Sequence, residues 1–229
     1  MNKQTLALIP MKVLEHSKTR LASVLTATEC AALSRAMLLD VLNALHDARH
    51  IQHVAVLTSD AEVQNLVRAM GHLVIEDDSA GQVNTGLNTA AQQIAAAGAA
   101  TVVVIPGDLP TISGQDIDRL LAEHFKGITE GISLCIAGRD SGTNALVCSP
   151  PDVLPFRFGH NSAARHLDAA AAAAIPARAL TNQAFSRDID TPDDLDWLTQ
   201  QDPGLNSIQF LLQAGIPARM NPAKTGTSA

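Results

Sequence analysis

Short apolar runs of β-type residues alternate with longer stretches of helical periodicity from residue 6 to about residue 200, and few folds accommodate that alternation. A strand that passes to a helix and returns beside itself builds a parallel sheet covered by helices. Leu6–Ile9 reads as the first strand. Thr26-Ala27-Thr28-Glu29 is a capping-box pattern that opens a long helix through Leu33, Met37, Leu38, Val41, Leu42 and Leu45. Further strands are predicted at 54–58, 73–76 and 102–105, helices at 61–70 and 88–97, and a helix capped by Ser113. Segments 132–137 and 145–148 read as strands joined by a Gly-containing turn. Such a hairpin breaks the parallel order, so the expected fold is α/β with a mixed, mostly parallel sheet flanked by helices. The Ala-rich stretch 162–174 reads as helical. Thr191-Pro192-Asp193-Asp194 opens the last core helix, with a cap residue, Pro at the first helical position and acids at the positive end of the dipole.

The chain has 229 residues, 46% hydrophobic and 17% charged, enough for one α/β domain with a substantial core. Residues 1–201 are expected to form that domain and 202–229 a C-terminal extension, disordered from about 221, where Pro, Gly, Ser and Thr dominate. The apolar stretch Ile208–Leu212 is expected to pack on the domain or on a second subunit, which leaves a homodimer open. A net charge of −7 argues against a nucleic-acid partner, which would require clustered Lys and Arg. Cys30, Cys135 and Cys148 are odd in number and lie in apolar stretches, as core residues do in a reducing compartment. No charged-then-apolar leader or run of 18 apolar residues is present, so a cytoplasmic protein without a membrane partner is expected.

Chemistry is concentrated at predicted strand ends, where ligands of open α/β sheets bind. Gly107-Asp108-Leu109-Pro110 follows the apolar run 102–105, and Pro106 and Pro110 restrict the backbone on either side of Asp108. Asp188-Ile189-Asp190 lies eighty residues later. Mg2+ takes hard oxygen ligands from one or two carboxylates plus substrate phosphates, so these elements together suggest a divalent metal site. Each alone reads equally well as a turn or a helix cap. After the first strand, Pro10-Met11-Lys12 through Lys18-Thr19-Arg20 places Lys12, Lys18 and Arg20 within nine residues, a loop able to wrap a triphosphate. The alternative is a solvated basic loop. The stretch contains no Gly, which excludes a Walker-type phosphate loop. Paired acids and a basic loop point to nucleotidyl transfer.

Weaker elements accompany these. Ser79–Asn88, with Gly81, Gly86 and Asn88, offers close backbone approach and a helix N-terminus to a nucleotide, or is a structural loop. Gly138–Asn144 and Phe158–Ser162 present hydroxyl, amide and guanidinium groups and another helix start, which a plain cap at Ser162 explains equally. His46 and His50 have i, i+4 spacing compatible with zinc, but no third ligand lies nearby and a structural or exposed role is favoured. His160 and His166 flank the Ser162 helix start, where one could touch an anionic substrate, and both are left unassigned. No Gly-x-Ser-x-Gly elbow is present.

Taken in order, Ile9-Pro10-Met11-Lys12, Lys18-Thr19-Arg20-Leu21-Ala22, Gly86-Leu87-Asn88, Gly107-Asp108-Leu109-Pro110, Gly142-Thr143-Asn144-Ala145-Leu146, Phe158-Gly159 with Ser162, and Asp188-Ile189-Asp190-Thr191-Pro192 resemble the 2-phospho-L-lactate guanylyltransferase family, from about residue 5 to 200. That family makes the nucleotide-linked precursor of coenzyme F420, from phospholactate, phosphoenolpyruvate or 3-phosphoglycerate. The resemblance implies a Rossmann-like, GT-A-like nucleotidyltransferase fold, GTP and a small phospho-acid as partners, and Mg2+ on Asp108, Asp188 and Asp190. It also implies that Lys12, Arg20 and Asp108 serve catalysis and that Pro10, Lys12, Lys18, Arg20, Gly81, Gly86, Asn88 and Asp108 meet GTP. Thr143, Gly159 and Ser162 would hold the acid. The Arg139–Gly142 stretch is short for the family. A guanine preference rests on the resemblance alone. Two readings compete: another metal-dependent nucleotidyltransferase, which would normally carry a Gly-rich loop in place of Pro10-Met11-Lys12, and a non-catalytic GTP-binding regulator.

Overall fold

The computed structural model describes residues 4–220. Strands β1 (Thr5–Pro10), β2 (His53–Thr58), β3 (Leu73–Glu76), β4 (Thr101–Val104), β5 (Gly131–Ile136), β6 (Thr143–Ser149) and β7 (Ala177–Leu180) form one sheet in the order β3-β2-β1-β4-β6-β5-β7. All neighbours are parallel except at β6, which runs antiparallel to both β4 and β5. One reversed strand has a geometric consequence. The carboxyl ends of β1, β4, β5 and β7 and the amino end of β6 all meet at the same edge of the sheet.

Alternation in β1 explains the layers. Ala7 and Ile9 point into a core with Leu38, Val41, Leu42 and Leu45 of α1 (Ala27–Asp47), Val63 and Val67 of α2 (Ala61–Ala69), and Ile117, Leu120 and Leu121 of the helix Gly114–Phe125. Leu6 and Leu8 face the other side, against Leu87, Ala90, Ala91 and Ile94 of α3 (Val83–Ala96) and Ala163 and Ala170 of the helix Ser162–Ala172. The helix Gly114–Phe125 is α4, and Ser162–Ala172 is α5. They are followed by α6 (Pro192–Leu198), α7 (Asn206–Gln213) and α8 (Ile216–Met220). The mixed sheet, the 26–29 capping box and the Ser113 cap of α4 are all present as expected.

Two elements differ from the sequence reading. Helix α3 starts at Val83 rather than near Asn88. Gly86, read as part of a loop, lies inside the helix, and the close approach expected of it is made to Asp77, whose Oδ1 a Cβ would meet at 2.6 Å. Strand β7 was not foreseen, since Ala177-Arg178-Ala179-Leu180 is short and weak in strand propensity and is recruited by pairing with β5. Helix α1 ends at Asp47, so His50 lies beyond it and shares no helix face with His46; its Nδ1 is instead 2.9 Å from Asp118 Oδ1. The tail expected to be disordered lies outside the described residues. Among the described residues, no helix is long and apolar enough to cross a membrane.

The segment 206–213 packs on α1. Ile208 and Leu211 are buried with Leu33 and Met37 of α1, and the α1 carboxylate of Asp40 caps the incoming helix. Asp40 Oδ1 accepts from Asn206 N–H (2.7 Å) and Nδ2 (2.8 Å), and Oδ2 accepts from Ser207 N–H (3.0 Å) and Oγ (2.6 Å). Removing that buried acceptor leaves several donors unpaired. Asp40→Ala is expected to lower unfolding free energy by about 2–4 kcal/mol, measured by urea denaturation. A loss under about 0.5 kcal/mol would show that the apolar contacts alone seat α7.

On the α4 side, the fully buried His124 places Nδ1 2.9 Å from Ser133 Oγ and Nε2 3.0 Å from Ser149 Oγ, which is itself 2.7 Å from Thr101 Oγ1. Burial, aided by the positive charge of Arg178, pushes its pKa down to about 4. The unfolded chain protonates this ring near pH 6.5 while the folded chain keeps it neutral. Its stabilisation is therefore complete above pH ~6.5 and is lost progressively as the pH falls toward 4. The urea midpoint should fall between pH 7 and pH 5, and less steeply in His124→Asn; equal slopes would remove His124 from that dependence.

Candidate active site

The loop after β1 is folded over the sheet edge by specific anchors. Leu14 N–H donates to Asp60 Oδ2 (2.8 Å), while the other oxygen of Asp60 caps α2, so one side chain ties this loop to a helix start. Single 3-10 turns at Leu14–His16 and Thr19–Leu21 follow. Between them Lys18 adopts a left-handed backbone (φ 52°, ψ 37°), which costs a non-glycine residue on the order of 1 kcal/mol. Its ammonium offsets that cost by reaching Asp108 Oδ2 at 2.5 Å and Asp190 Oδ1 at 2.7 Å. Arg20 Nη1 lies 3.4 Å from Asp190 Oδ2 at the exposed rim.

Asp108 follows β4 because Gly107 leaves room for Met11 of the neighbouring loop, whose Sδ a Cβ would strike. Ile189 is wholly buried beside α1 and donates its N–H to the Asp108 carbonyl (3.1 Å), which docks the 188–190 segment against the β4 loop. Asp194 of α6 fixes the same segment from the other side. Its buried Oδ2 accepts from Asp190 N–H (3.1 Å), from Thr191 N–H (2.8 Å) and Oγ1 (2.7 Å), and from Arg139 Nη2. One oxygen each of Asp108, Asp188 and Asp190 thereby lies within 4.8 Å of the others.

The charges respond to that crowding. Burial, with the charge of Asp108 behind it, pushes the Asp188 carboxyl above its ordinary range. Burial pushes Asp190 in the same direction, but the Lys18 ammonium, with Arg20 and Arg139, outweighs it and holds this carboxyl below the ordinary value. For Lys18, burial would lower the pKa, and Asp108 and Asp190 together raise it instead. Asp108 Oδ1 is buried without a hydrogen-bond partner. An orphaned carboxylate oxygen in a set of three hard donors fits a divalent cation.

A cleft of about 400 Å³ opens over this cluster, lined by Pro10, Lys12, Lys18, Arg20, Asp108 and Asp190, with Ser34 and Met37 of α1 forming its wall. The sequence-derived basic loop and acidic elements are thus brought together. Gly81, on the connection after β3, and Gly86 and Asn88, in the first turns of α3, lie outside this lining, and Asn88 Oδ1 is committed to the N–H of Phe156 (2.8 Å).

Thr143, Gly159 and Ser162 belong to a second cluster at the same sheet edge. Thr143 is the first residue of β6, Ser162 the first of α5, and Gly159 lies in the turn before it. The first N–H groups of α5 are already engaged, Ser162 with the Gly159 carbonyl (3.1 Å) and Ala163 with that of Ser141 (3.2 Å). Ser162 Oγ donates to Thr143 Oγ1 (3.0 Å), and the buried His166 joins them with Nδ1 3.2 Å from Thr143 Oγ1. Asp60 carries no sequence signal of a role, and Asp194, Arg139 and His166 read from the sequence only as a helix-end acid, a loop guanidinium and a histidine beside a helix start. Only the i, i+4 relation of Ser162 and His166 at a helix start hints that they share a face.

A mostly parallel sheet with one reversed strand, carrying acids and bases together at one edge, is the setting in which the comparisons with guanylyltransferases place a nucleotidyltransferase. A solved structure from Desulfovibrio desulfuricans G20, described as a nucleotide-diphospho-sugar transferase, superposes with a TM-score of 0.78 over 95% of this chain and 97% of its own at 19% identity. Residues 5–227 match the family described as Guanylyl transferase CofC like, and the chain belongs to that family. It is 40% identical over 205 residues to a phosphoenolpyruvate guanylyltransferase of Roseiflexus sp. (strain RS-1), covering 90% of this chain and 89% of the relative. It is 35% identical over 184 residues to a 3-phospho-D-glycerate guanylyltransferase of Phenylobacterium zucineum (strain HLK1), covering 78% and 82%.

The Lys18 ammonium occupies the space between two carboxylates that a cation would share. Lys18→Met should therefore bind Mn2+ more tightly than the parent in the absence of nucleotide, read from the free-Mn2+ signal in electron paramagnetic resonance. Equal affinities would show that ammonium and metal do not compete.

Proposed function

We propose that the protein transfers GMP from GTP to the phosphate of a small phosphorylated three-carbon acid with release of pyrophosphate, as a step toward coenzyme F420 in the cytoplasm. Phosphoenolpyruvate is the first acid to test, on the strength of the 40% identical relative, with 3-phosphoglycerate and 2-phospho-L-lactate next. The observation that carries the reading is the juxtaposition of a basic loop with three clustered carboxylates at one sheet edge. An idle binding protein has no need of the orphaned Asp108 oxygen beside that cluster.

The chemistry assigned to the chain is mostly positioning and charge stabilisation. The acid's phosphate oxygen attacks the α-phosphorus of GTP in line, a new P–O bond forms, and the bond to the bridging oxygen of the β-phosphate breaks. No general base is required, because a phosphate monoester with a second pKa of about 6 is already ionised at neutral pH. Asp108, Asp188 and Asp190 would hold Mg2+, which when bound supplies positive charge to the reacting phosphates. Lys12, Lys18 and Arg20 line the pyrophosphate side of the cleft and offset the charge of the leaving group. Lys18, which pairs with Asp108 and Asp190, is placed to exchange them for phosphate oxygens. Thr143, Gly159 and Ser162 are assigned to the acid in this reading, with the positive charges of Arg157 and Arg165 close to the neighbouring His166.

The test is Mg2+-dependent pyrophosphate release from GTP with each acid offered separately. Release is expected with one acid. Asp108→Asn should cut turnover by about a thousandfold or more, on the order of 4 kcal/mol, while far-UV circular dichroism stays unchanged. Near-normal turnover in that variant would remove the metal assignment, and silence of the parent with every acid would sink the reading.

A further inference from the structure

The buried polar cluster at the amino end of β6 holds a histidine to which the reaction above assigns nothing. His166 is completely buried, and its edge meets Phe158 at 5.3 Å between ring centroids with planes at 72°. Burial, with the positive charges of Arg165 and Arg157, pushes its pKa down to about 4, so the ring is neutral at working pH. A neutral imidazole has one donor and one acceptor nitrogen. The backbone N–H of Arg157 points at Nε2 (2.9 Å), and because an amide N–H only donates, Nε2 is the unprotonated nitrogen. Nδ1 therefore carries the hydrogen and donates to Thr143 Oγ1 at 3.2 Å.

The consequence falls on Thr143. A hydroxyl oxygen has two acceptor positions and one hydrogen. Ser162 Oγ–H fills one acceptor position at 3.0 Å and His166 Nδ1–H the other. With both filled, the Thr143 hydroxyl meets any further partner only by donating. A fixed donor favours an anionic oxygen and rejects a ligand that offers its own N–H or O–H at that point.

We propose that His166 is a positioning residue of the acid subsite, which fixes the Thr143 hydroxyl as a hydrogen-bond donor toward a carboxylate or phosphate oxygen of the acceptor acid. The inference rests on the acid-site reading of Thr143 and Ser162 given above. His166 does not touch the acid; it acts through Thr143, and through Arg157 N–H it also holds the backbone that leads to Gly159.

The test is steady-state kinetics with GTP and the acid that the parent uses. Asn places an amide N–H near the position of Nδ1, Gln places one near Nε2, and Leu supplies neither. In His166→Leu, KM for the acid should rise roughly tenfold or more with KM for GTP unchanged, and His166→Asn should recover most of that loss. In a Thr143→Val background, His166→Leu should add less than about threefold, because both changes remove the same donor. Full multiplication of the two losses, or a parallel rise in KM for GTP, would overturn the proposal. Where His166→Leu fails to fold, the Asn and Gln variants decide: Asn retaining the better acid KM supports the proposal, and Gln doing so overturns it. A parent inert toward every phospho-acid would overturn the functional reading and the subsite with it, an outcome distinct from an active parent whose His166 variants are unaffected.

Discussion

Three carboxylates crowded into one corner of a protein repel one another unless a proton or a cation comes between them. With oxygens of Asp108, Asp188 and Asp190 within 4.8 Å, each ionised pair repels by about 3 kcal/mol at an effective dielectric constant near 20. The Lys18 ammonium relieves this by touching Asp108 and Asp190 at once, and accepts a left-handed backbone to do so. The folding of the β1 loop and the charge state of the acidic cluster are consequently one problem. Their solution leaves Asp108 Oδ1 unpartnered, which fits a cluster built to exchange its resident charge for a ligand.

Rigidity around that cluster comes from backbone contacts, not from the acids themselves. Ile189 is held by burial and by its N–H on the Asp108 carbonyl, and Asp194 gathers the donors of residues 190 and 191 together with Arg139. Arg139 belongs to the connection between β5 and β6, so the same side chain links the acidic segment with the loop that leads to Thr143. The two halves of the proposed site are thus joined by the Arg139–Asp194 ion pair, together with Gly138 N–H on the Ser186 carbonyl (2.7 Å) and Asn144 Nδ2 on the Phe185 carbonyl (2.9 Å).

Much of this was legible in the sequence, for identifiable reasons. Capping boxes at Thr26 and Ser113 are local codes that tertiary structure had no cause to override, and the apolar runs of β1, β2 and β4 are long enough to declare themselves. Asp108, Lys12, Lys18 and Arg20 were readable because each follows a strand that could be placed, and Asp190 because it stands with Asp188 just ahead of a recognisable helix start. Gly86 misled, because a glycine serving side-chain proximity within a helix has the same letter as one serving a turn. Strand β7 was hidden, since its stability is lent by β5. Asp194 was foreseen only as a helix-end acid, and His166 only as one of two histidines flanking a helix start, because reach across 23 or 55 residues to Thr143 or Arg139 leaves no trace in local pattern.

The reversed strand β6 divides the sheet edge into regions of different connectivity. The β1 and β4 loops are each followed by a helix that re-enters the core, so a residue gained or lost there would displace a packed layer. Residues 137–142 return directly into β6 by a hairpin, but that turn is tied to the acidic segment by Gly138 N–H on the Ser186 carbonyl (2.7 Å) and by Arg139 on Asp194, and to α5 by Ala163 N–H on the Ser141 carbonyl (3.2 Å). A residue gained or lost in that turn would therefore be felt at Asp190 and at Thr143 together, so the two regions of the sheet edge cannot be reshaped independently.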